Sequence, residues 1–451
     1  NNIIKMLFKF IILTHVIYNI LSYIILPLYI SQKNIDTRND PKEVIQKLLN
    51  TEMCITFSIG SEKAKIKALL SHQTNGFIIA GKNIKNHKYD ESLSKSYLNI
   101  NNQTKEFYSG LFNELFLLSK ENFYFENDNN IIKQVENLDF LLTIKSSNEI
   151  LYEGIIGVQI PYLNNLNEYN LINNLKRKKL IDSYNWFLNF DTKKEGKMYI
   201  GTLPHMLDDK YKEINFKTTS GAKIGYWGLD FPEITYGNVN ISHKSYQAYI
   251  HFDLKLFFGP NELMDLLDKE FFNYYINNNI CFKEIYGFER NIFYYCKNTE
   301  EFDVKKFKEI NFKNIELETD FIFDYNDLFF YKNDLIYFLI LFREVDINNF
   351  RIGEIFLKKY NLVFNQDSKT IGYYSNINNI IKENNVEENK NKSNFSITNV
   401  LLIIILIVIL FLGFLLYKKR INRKLRANEL EDKFQYISSN DFSDIRKNKL
   451  V

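Results

Sequence analysis

Short apolar runs alternate with polar stretches along most of the chain between residues 50 and 376. Runs of this length, broken by Asn, Asp and Gly, are typical of β-strands. The clearest runs are CITFSIG (54–60), FLLTIKS (140–146), KMYIGTL (197–203), AYIHFDLKLFF (248–258) and DFIFDYNDLFFY (320–331). The pattern therefore predicts a mostly β fold for this part of the chain.

One segment has the spacing of a helix instead. In NELMDLLDKEFFNYYI (261–276) apolar residues recur every three to four positions, and Pro260 stands before the first turn. The face predicted to be buried consists of Leu263, Leu266, Leu267, Phe271 and Tyr274.

Two strongly apolar segments lie near the ends of the chain. Residues 400–416 (VLLIIILIVILFLGFLL) carry no charge and predict a single transmembrane helix. The basic run KKRINRKLR (418–426) follows it, which places residues 418–451 in the cytosol as a tail. Residues 1–30 combine early lysines with an apolar stretch and predict a secretory signal peptide or a retained anchor.

These segments predict a single-pass type I protein of the secretory or endomembrane system or of the cell surface. The polar stretch 377–399 has no regular pattern and predicts a flexible stalk between the globular part and the membrane.

Charge and cysteine content exclude several classes of partner. The chain has 57 basic and 54 acidic residues, so no concentrated basic face predicts nucleic-acid binding. Its three cysteines form no CxxC pair and no Cys/His cluster with zinc spacing, so we expect neither a metal nor another cofactor. Cys54 lies in a predicted strand and is interpreted as a small buried residue.

The C-terminal third resembles the end of pepsin-like aspartic peptidases. FRIGEIFLKKYNLVFNQDSKTIGYY (350–374) matches the family's Gly-acidic pair, "FLRKYY", "VFD" and "IGFA" in order. Further matches precede it in the family's order: CITFSIG, EGIIGVQIPY (153–162), NWFLNF with EGKMYIGTL (185–203), YWGLDFPEITYGN (226–238) and SYQAYIHFDLKLFFGP (245–260).

This resemblance implies a bilobal β fold with a substrate cleft between an N-terminal lobe (50–215) and a C-terminal lobe (216–376). It also implies a disulfide in the second lobe, for which Cys281 and Cys296 are the candidates.

Both catalytic aspartates of the family are missing from the aligned positions. Aligning the segment FII (77–79) with the family's "LWV" places Ser71 at the first Asp position, and no acidic residue lies between Lys65 and Asp90. Aligning Gly259-Pro260 places His251 at the second. Asp253 stands nearby and is interpreted as a solvated or satisfied surface residue.

The family's reaction needs two opposed carboxylates that share one proton. The sequence therefore predicts a membrane-anchored pseudo-peptidase that binds a peptide or protein between its lobes. Three alternatives stay open: an active aspartic endopeptidase with a divergent site, a structural or adhesive protein with a filled cleft, and a Ser71–His251 nucleophile-base pair.

Overall fold

The chain folds mainly into β-strands, as the apolar pattern predicts. The computed structural model describes residues 23–31, 40–49, 51–85, 87–109, 112–126, 132–146, 152–160, 169–192, 194–211, 215–223, 225–241, 244–345 and 348–374. The strands of this part, β1 to β27, are Ile24–Ser31, Glu52–Ile59, Ala64–Ser71, Phe77–Ala80, Leu98–Ser109, Phe112–Glu126, Ile132–Ser146, Gly154–Gly157, Asn185–Phe190, Glu195–Ile200, Phe216–Ser220, Ala222–Lys223, Tyr226–Phe231, Glu233–Tyr236, Val239–Asn240, Tyr246–Ile250, Phe257–Phe258, Cys281–Tyr286, Asn291–Lys297, Ile310–Asn314, Thr319–Phe323, Phe329–Lys332, Leu335–Phe338, Ile340–Arg343, Phe350–Ile352, Val363–Asn365 and Thr370–Tyr374. The α-helices, α1 to α7, are Pro41–Leu49, Leu171–Arg177, Pro204–Leu207, Asn261–Leu267, Asn273–Asn277, Tyr325–Leu328 and Glu354–Lys359.

The first sheet contains a strand inserted between two strands that are consecutive in the chain. Its 13 strands follow the order β11-β27-β26-β9-β10-β1-β2-β3-β8-β4-β7-β6-β5. Strand β8 is parallel to β3 and antiparallel to β4, and β4 is parallel to β7. The chain therefore crosses the end of β8 between Ser71, where β3 ends, and Phe77, where β4 begins.

The second sheet repeats this arrangement. Its main path is β12-β13-β16-β25-β17-β24-β19-β23-β22, with β18 paired to β19. Strand β25 is parallel to β16 and antiparallel to β17, and β17 is parallel to β24. The chain crosses the end of β25 between Ile250 and Phe257. Two equivalent units of this kind are consistent with the expected bilobal fold.

Three strands of the second predicted lobe belong to the first sheet, and the two lobes share one hydrophobic core. Strand β26 pairs with β9, and β27 pairs with β11, so residues 363–374 and 216–220 belong to the first sheet. Buried residues of both sheets form one continuous cluster. Backbone pairing thus crosses the predicted boundary between 50–215 and 216–376, because hydrogen bonding does not follow sequence order.

Strand β1 corrects the predicted extent of the N-terminal segment. Residues 24–30, assigned from sequence to the signal or anchor of 1–30, pair with β2 and β10 inside the first sheet. Ile24, Leu26, Leu28 and Ile30 are buried there. An apolar run of this kind can form a sheet strand, and residues 24–30 form one here. Residues 1–22 lie outside the described part.

Two of the long apolar runs are not single strands. The run 248–258 contains the end of β16, a loop and β17. The run 320–331 is interrupted by α6, whose N-terminus is capped by the Asp324 side chain, while the Asp327 carboxylate accepts from the Asp324 amide. Local capping therefore overrides strand propensity at this point.

The predicted helix at 261–276 is present, but its buried face changes partway along. Residues Asp268–Phe272 between α4 and α5 form a π-helical turn. This turn adds one residue per turn and rotates the following side chains. Tyr275, 3% exposed, is therefore buried, whereas the predicted Tyr274 is 68% exposed.

Other sequence-based predictions have different outcomes. The disulfide between Cys281 and Cys296 is confirmed, across paired positions of β18 and β19. Cys54 is a buried free cysteine, as interpreted. No helix in the described ranges is long and apolar enough to cross a membrane. The predicted stalk (377–399), transmembrane helix (400–416) and tail (418–451) lie outside those ranges.

Candidate functional site

Two short loops approach each other where the chain crosses β8 and β25. The first loop (72–76) follows Ser71, and the second loop (251–256) follows Ile250. The Ser71 carbonyl oxygen accepts a hydrogen bond from the Val158 amide at 2.9 Å. The His251 amide donates to the Ile352 carbonyl at 2.9 Å. Each loop is therefore fixed at its start by the strand that it crosses.

Each loop also depends on a glycine in the crossed segment. A Cβ atom on Gly157 would lie 2.5 Å from the Thr74 carbonyl oxygen, and one on Gly353 would lie 1.9 Å from that of Leu254. Both distances are far below van der Waals contact, so the backbones can approach this closely only because these residues lack side chains.

Aromatic residues support the second loop from below. Phe252 is fully buried, with ring centroids 5.5 Å from Trp186 and 5.7 Å from Phe364. The Trp227 indole N–H donates to the Val158 carbonyl at 2.6 Å, which links a second-lobe strand to the segment under the first loop. These contacts hold the loops of the two halves in fixed positions.

Helix α1 also packs against the second loop. Val44, Ile45 and Leu48 are buried in a cluster with Leu254 and Leu256. A segment that precedes the first lobe in the chain therefore stabilises the loop of the second.

Three side chains from the two loops meet between them. His72 Nδ1 lies 3.1 Å from Asp253 Oδ1, and His251 Nδ1 lies 3.9 Å from the same oxygen. The two imidazole rings are 4.0 Å apart between centroids. We call His72, His251 and Asp253 the inter-loop cluster.

The cluster is buried on one side and open on the other. The side chain of His72 is 2% exposed, whereas those of His251 and Asp253 are 17% and 29% exposed. The Tyr226 ring lies 5.9 Å from that of His72 and is nearly parallel to that of His251 at 6.4 Å. Tyr226 is thus an aromatic neighbour of both imidazoles.

Burial and mutual contact set the ionisation of the cluster. Burial, and then the neighbouring His72, lower the pKa of His251 to about 3. Burial alone would raise the pKa of Asp253, but contact with His72 and the field of both imidazoles outweigh it and lower that pKa below its ordinary value. At neutral pH the cluster therefore contains a neutral His251 and an ionised Asp253.

The residues predicted for the site do not all come together. Ser71 is buried, and its Oγ accepts a hydrogen bond from the Gln73 amide at 3.2 Å. The contacts of His251 in the described part are instead with His72, Asp253 and Tyr226. This arrangement gives no support to a Ser71–His251 nucleophile-base pair.

Asp253 is partly exposed, and three side chains of the two loops surround its carboxylate. Its Oδ1 faces the two imidazoles, and its Oδ2 accepts from the Gln73 side-chain amide at 3.4 Å. Asp253 lies two positions beyond His251 in the second loop, and Phe252 between them is buried. The alignment sets 71–73 and 251–253 on equivalent positions, but it does not show that the side chains of His72 and Asp253 meet.

No second carboxylate is hydrogen-bonded to Asp253 within the described part of the chain. The cluster is one acid with two imidazoles, a donor set that could hold a metal ion, since its ligand atoms lie within 4.8 Å of one another.

A separate pocket of about 500 Å³ lies in the first half, lined by Ile100, Lys120, Asp139, Tyr169, Arg177 and Lys178. It contains no residue of the cluster.

Comparison with protein families agrees with this geometry. The family model for eukaryotic aspartyl proteases matches residues 74–375, which begins just beyond Ser71 and includes His251 and Asp253. A comparison with curated proteins finds no match. The family match spans well over half of the chain, and the fold is mostly β with a repeated crossing-loop unit. The chain therefore belongs to the eukaryotic aspartyl protease family, the pepsin-like aspartic peptidases.

Proposed function

We propose that this protein is a membrane-anchored, non-catalytic member of its family, which binds a peptide or a protein segment between its two lobes. The observation that carries the proposal is the composition of the inter-loop cluster. It contains one carboxylate and two imidazoles at the place where the family's reaction needs two acids.

The chemistry follows from this composition. A pair of opposed carboxylates shares one proton, so that one activates water while the other protonates the substrate carbonyl. Here Ser71 and His251 stand at the aligned positions, and a serine hydroxyl does not ionise near neutral pH. Asp253 is ionised, and no carboxylate among the described residues is hydrogen-bonded to it to share a proton.

Binding remains possible because the cluster is accessible. His251 and Asp253 are partly exposed, and the Tyr226 ring offers an apolar surface beside them. A concave site with apolar walls and a few polar groups is the usual form of a ligand site. The cleft that the family uses for substrates would then serve to hold a peptide without cleaving it.

The membrane anchor in this proposal rests on the sequence. The uncharged run 400–416 and the basic run 418–426 after it are typical of a single span with a cytosolic tail. Such an anchor would keep the peptide-binding part on the luminal or outer side.

The experiment is a cleavage assay on the full-length chain, purified in detergent, with a peptide library between pH 3 and pH 8. We expect no turnover at any pH. Cleavage that pepstatin inhibits would show an active endopeptidase and would refute the proposal. The variant S71D/H251D, which has acids at both aligned positions, provides the comparison. If this variant cleaves peptides and the wild type cleaves them at the same rate, the proposed inactivity is also contradicted.

Binding is measured separately by fluorescence anisotropy with labelled members of the same library. We expect Tyr226→Ala to weaken binding about tenfold, since it removes one aromatic wall. Tyr331→Ala is the matched control, because Tyr331 is an exposed tyrosine on β22. If Tyr226→Ala and Tyr331→Ala bound each peptide with equal affinity, the binding site would lie outside the cleft.

A further inference from the structure

The inter-loop cluster has the donor types and the spacing of a zinc site. We propose that His72, His251 and Asp253 bind a divalent transition-metal ion of the Zn²⁺ class between the two loops. The proposal goes beyond peptide binding and does not depend on it. It differs from the expectation of no metal, which considered only ligands close together in sequence.

The distances fit a tetrahedral ion. Zinc lies about 2.0–2.2 Å from imidazole nitrogen and carboxylate oxygen, which places neighbouring ligand atoms about 3.3 Å apart. The two measured distances to Asp253 Oδ1, 3.1 Å from His72 and 3.9 Å from His251, lie on either side of this value. Small side-chain rotations would bring all three donors to one centre.

The ring nitrogen of His72 is left without an aligned partner. Its Nδ1 is buried and near Asp253, yet among the described residues it makes no hydrogen bond of acceptable geometry. A metal ion between the two loops would use this nitrogen as a ligand.

The carboxylate is oriented as metal ligands usually are. The Gln73 side-chain amide donates to Oδ2 of Asp253, which leaves Oδ1 directed toward the imidazoles. Groups that hold a ligand by its other atom fix its orientation and raise affinity for the ion.

Three protein ligands leave a fourth position open. His251 and Asp253 are the partly exposed members, so this position faces the cleft beside Tyr226. Zinc sites with two histidines, one carboxylate and an open position keep water or a ligand atom there. The predicted site is therefore open to exchange and is not a closed structural one.

A nearby positive charge opposes metal binding and supplies a second test. Arg351 immediately precedes Ile352, whose carbonyl accepts from the His251 amide, and the Arg351 guanidinium lies over the Phe258 ring. Arg343 is paired with Glu289. Neutralising Arg351 should therefore increase the affinity for a cation.

The experiment is zinc titration of the full-length chain in detergent, without an affinity tag and after treatment with EDTA. Affinity is measured by competition with a chromophoric chelator, and geometry by the visible spectrum of the Co²⁺ form. We expect one ion per chain and intense Co²⁺ bands typical of four ligands.

The variants are expected to follow a graded order. Replacing a ligand, in His72→Ala, His251→Ala or Asp253→Asn, should weaken zinc binding by at least about 100-fold, whereas Gln73→Ala should weaken it about tenfold. Arg351→Gln should strengthen it. His87→Ala is the control, because this histidine instead contacts the Ile84 carbonyl.

Circular dichroism of each metal-free variant separates loss of binding from loss of fold. Asp253→Asn keeps the shape of the side chain, so it tests the site even if an alanine variant unfolds. Wild-type protein that binds no zinc, or a folded Asp253→Asn or His72→Ala variant that binds it as tightly as wild type, would overturn the proposal.

Discussion

The Asn170 side chain links helix α2 to the first loop and to β8. Replacing it should lower the free energy of unfolding. This side chain is fully buried. The Oδ1 atom accepts from the Asn173 amide at 3.1 Å and caps the helix. The Nδ2 atom donates to the carbonyl oxygens of Asn75 and Gly157 at 3.0 and 3.1 Å. One side chain thus satisfies three backbone groups.

The magnitude follows from these three bonds. Loss of an N-cap costs about 1 kcal/mol, and loss of each hydrogen bond to a buried carbonyl costs about 1 kcal/mol. Asn170→Ala should therefore lower the free energy of unfolding by about 3 kcal/mol. Asn170→Ser keeps a capping oxygen and should lower it by about 2 kcal/mol. Asn170→Asp keeps the cap but turns a carboxylate toward two carbonyls, so it should be less stable than the serine variant.

The assay is equilibrium unfolding of the full-length chain in urea, with the midpoint compared at constant slope. Asn278→Ala is the control, because this exposed asparagine makes one side-chain bond, to the Tyr274 carbonyl, and should cost less than about 0.5 kcal/mol. If Asn170→Ser matched wild type, the two bonds from Nδ2 to the Asn75 and Gly157 carbonyls would contribute nothing and the reasoning would fail.

Three further predictions concern the second half. Gly353→Ala should destabilise by at least about 2 kcal/mol in thermal unfolding, because its Cβ would collide with the Leu254 carbonyl. Replacing Cys281 and Cys296 by serine should cost about 3 kcal/mol in urea unfolding, since the bond closes a loop with a sequence separation of 15. The pKa of His251 is about 3 in the folded chain, against an ordinary 6.5. As the pH falls, the unfolded chain therefore protonates this imidazole before the folded chain does. Stability of the metal-free protein should therefore fall by about 3 kcal/mol between pH 7 and pH 4, and His251→Asn should remove that part of the slope.

Each of these has a result that contradicts it. A Gly353→Ala variant within about 0.5 kcal/mol of wild type would mean that the backbone yields at no cost. Cysteine variants as stable as the oxidised protein would show that the bond constrains nothing in the unfolded chain. A pH profile unchanged by His251→Asn would show that this imidazole is not kept neutral by burial.

The sequence was sufficient wherever a property depends on neighbouring residues. Alternation of apolar residues predicted the strands, and the helix at 261–276 followed from its spacing. Its buried face was right up to Phe271 and wrong at Tyr274, because a π-helical turn changed the phase. Nothing in a periodic pattern reports such an insertion, which the packing of Phe272 and Tyr275 stabilises.

The N-terminal strand illustrates a different limit. An apolar run near the start of a chain is compatible with a signal, an anchor or a strand, and composition does not distinguish them. Pairing of β1 with both β2 and β10 decided the matter for residues 24–30. Hydrogen-bond partners on both sides are a property of the sheet and not of the segment.

By itself, the sequence determined the β-rich class, the family resemblance, the absence of acids at positions 71 and 251, and the disulfide that the resemblance implied. Only the tertiary structure decided which side chains meet between the two loops. It placed His72 against Asp253, and Gln73 beside the same carboxylate, although 180 residues separate Gln73 from Asp253 in the chain. Side chains so far apart come within bonding distance only when two sheets have formed and their crossing loops meet. No local pattern of residues could therefore have predicted the cluster.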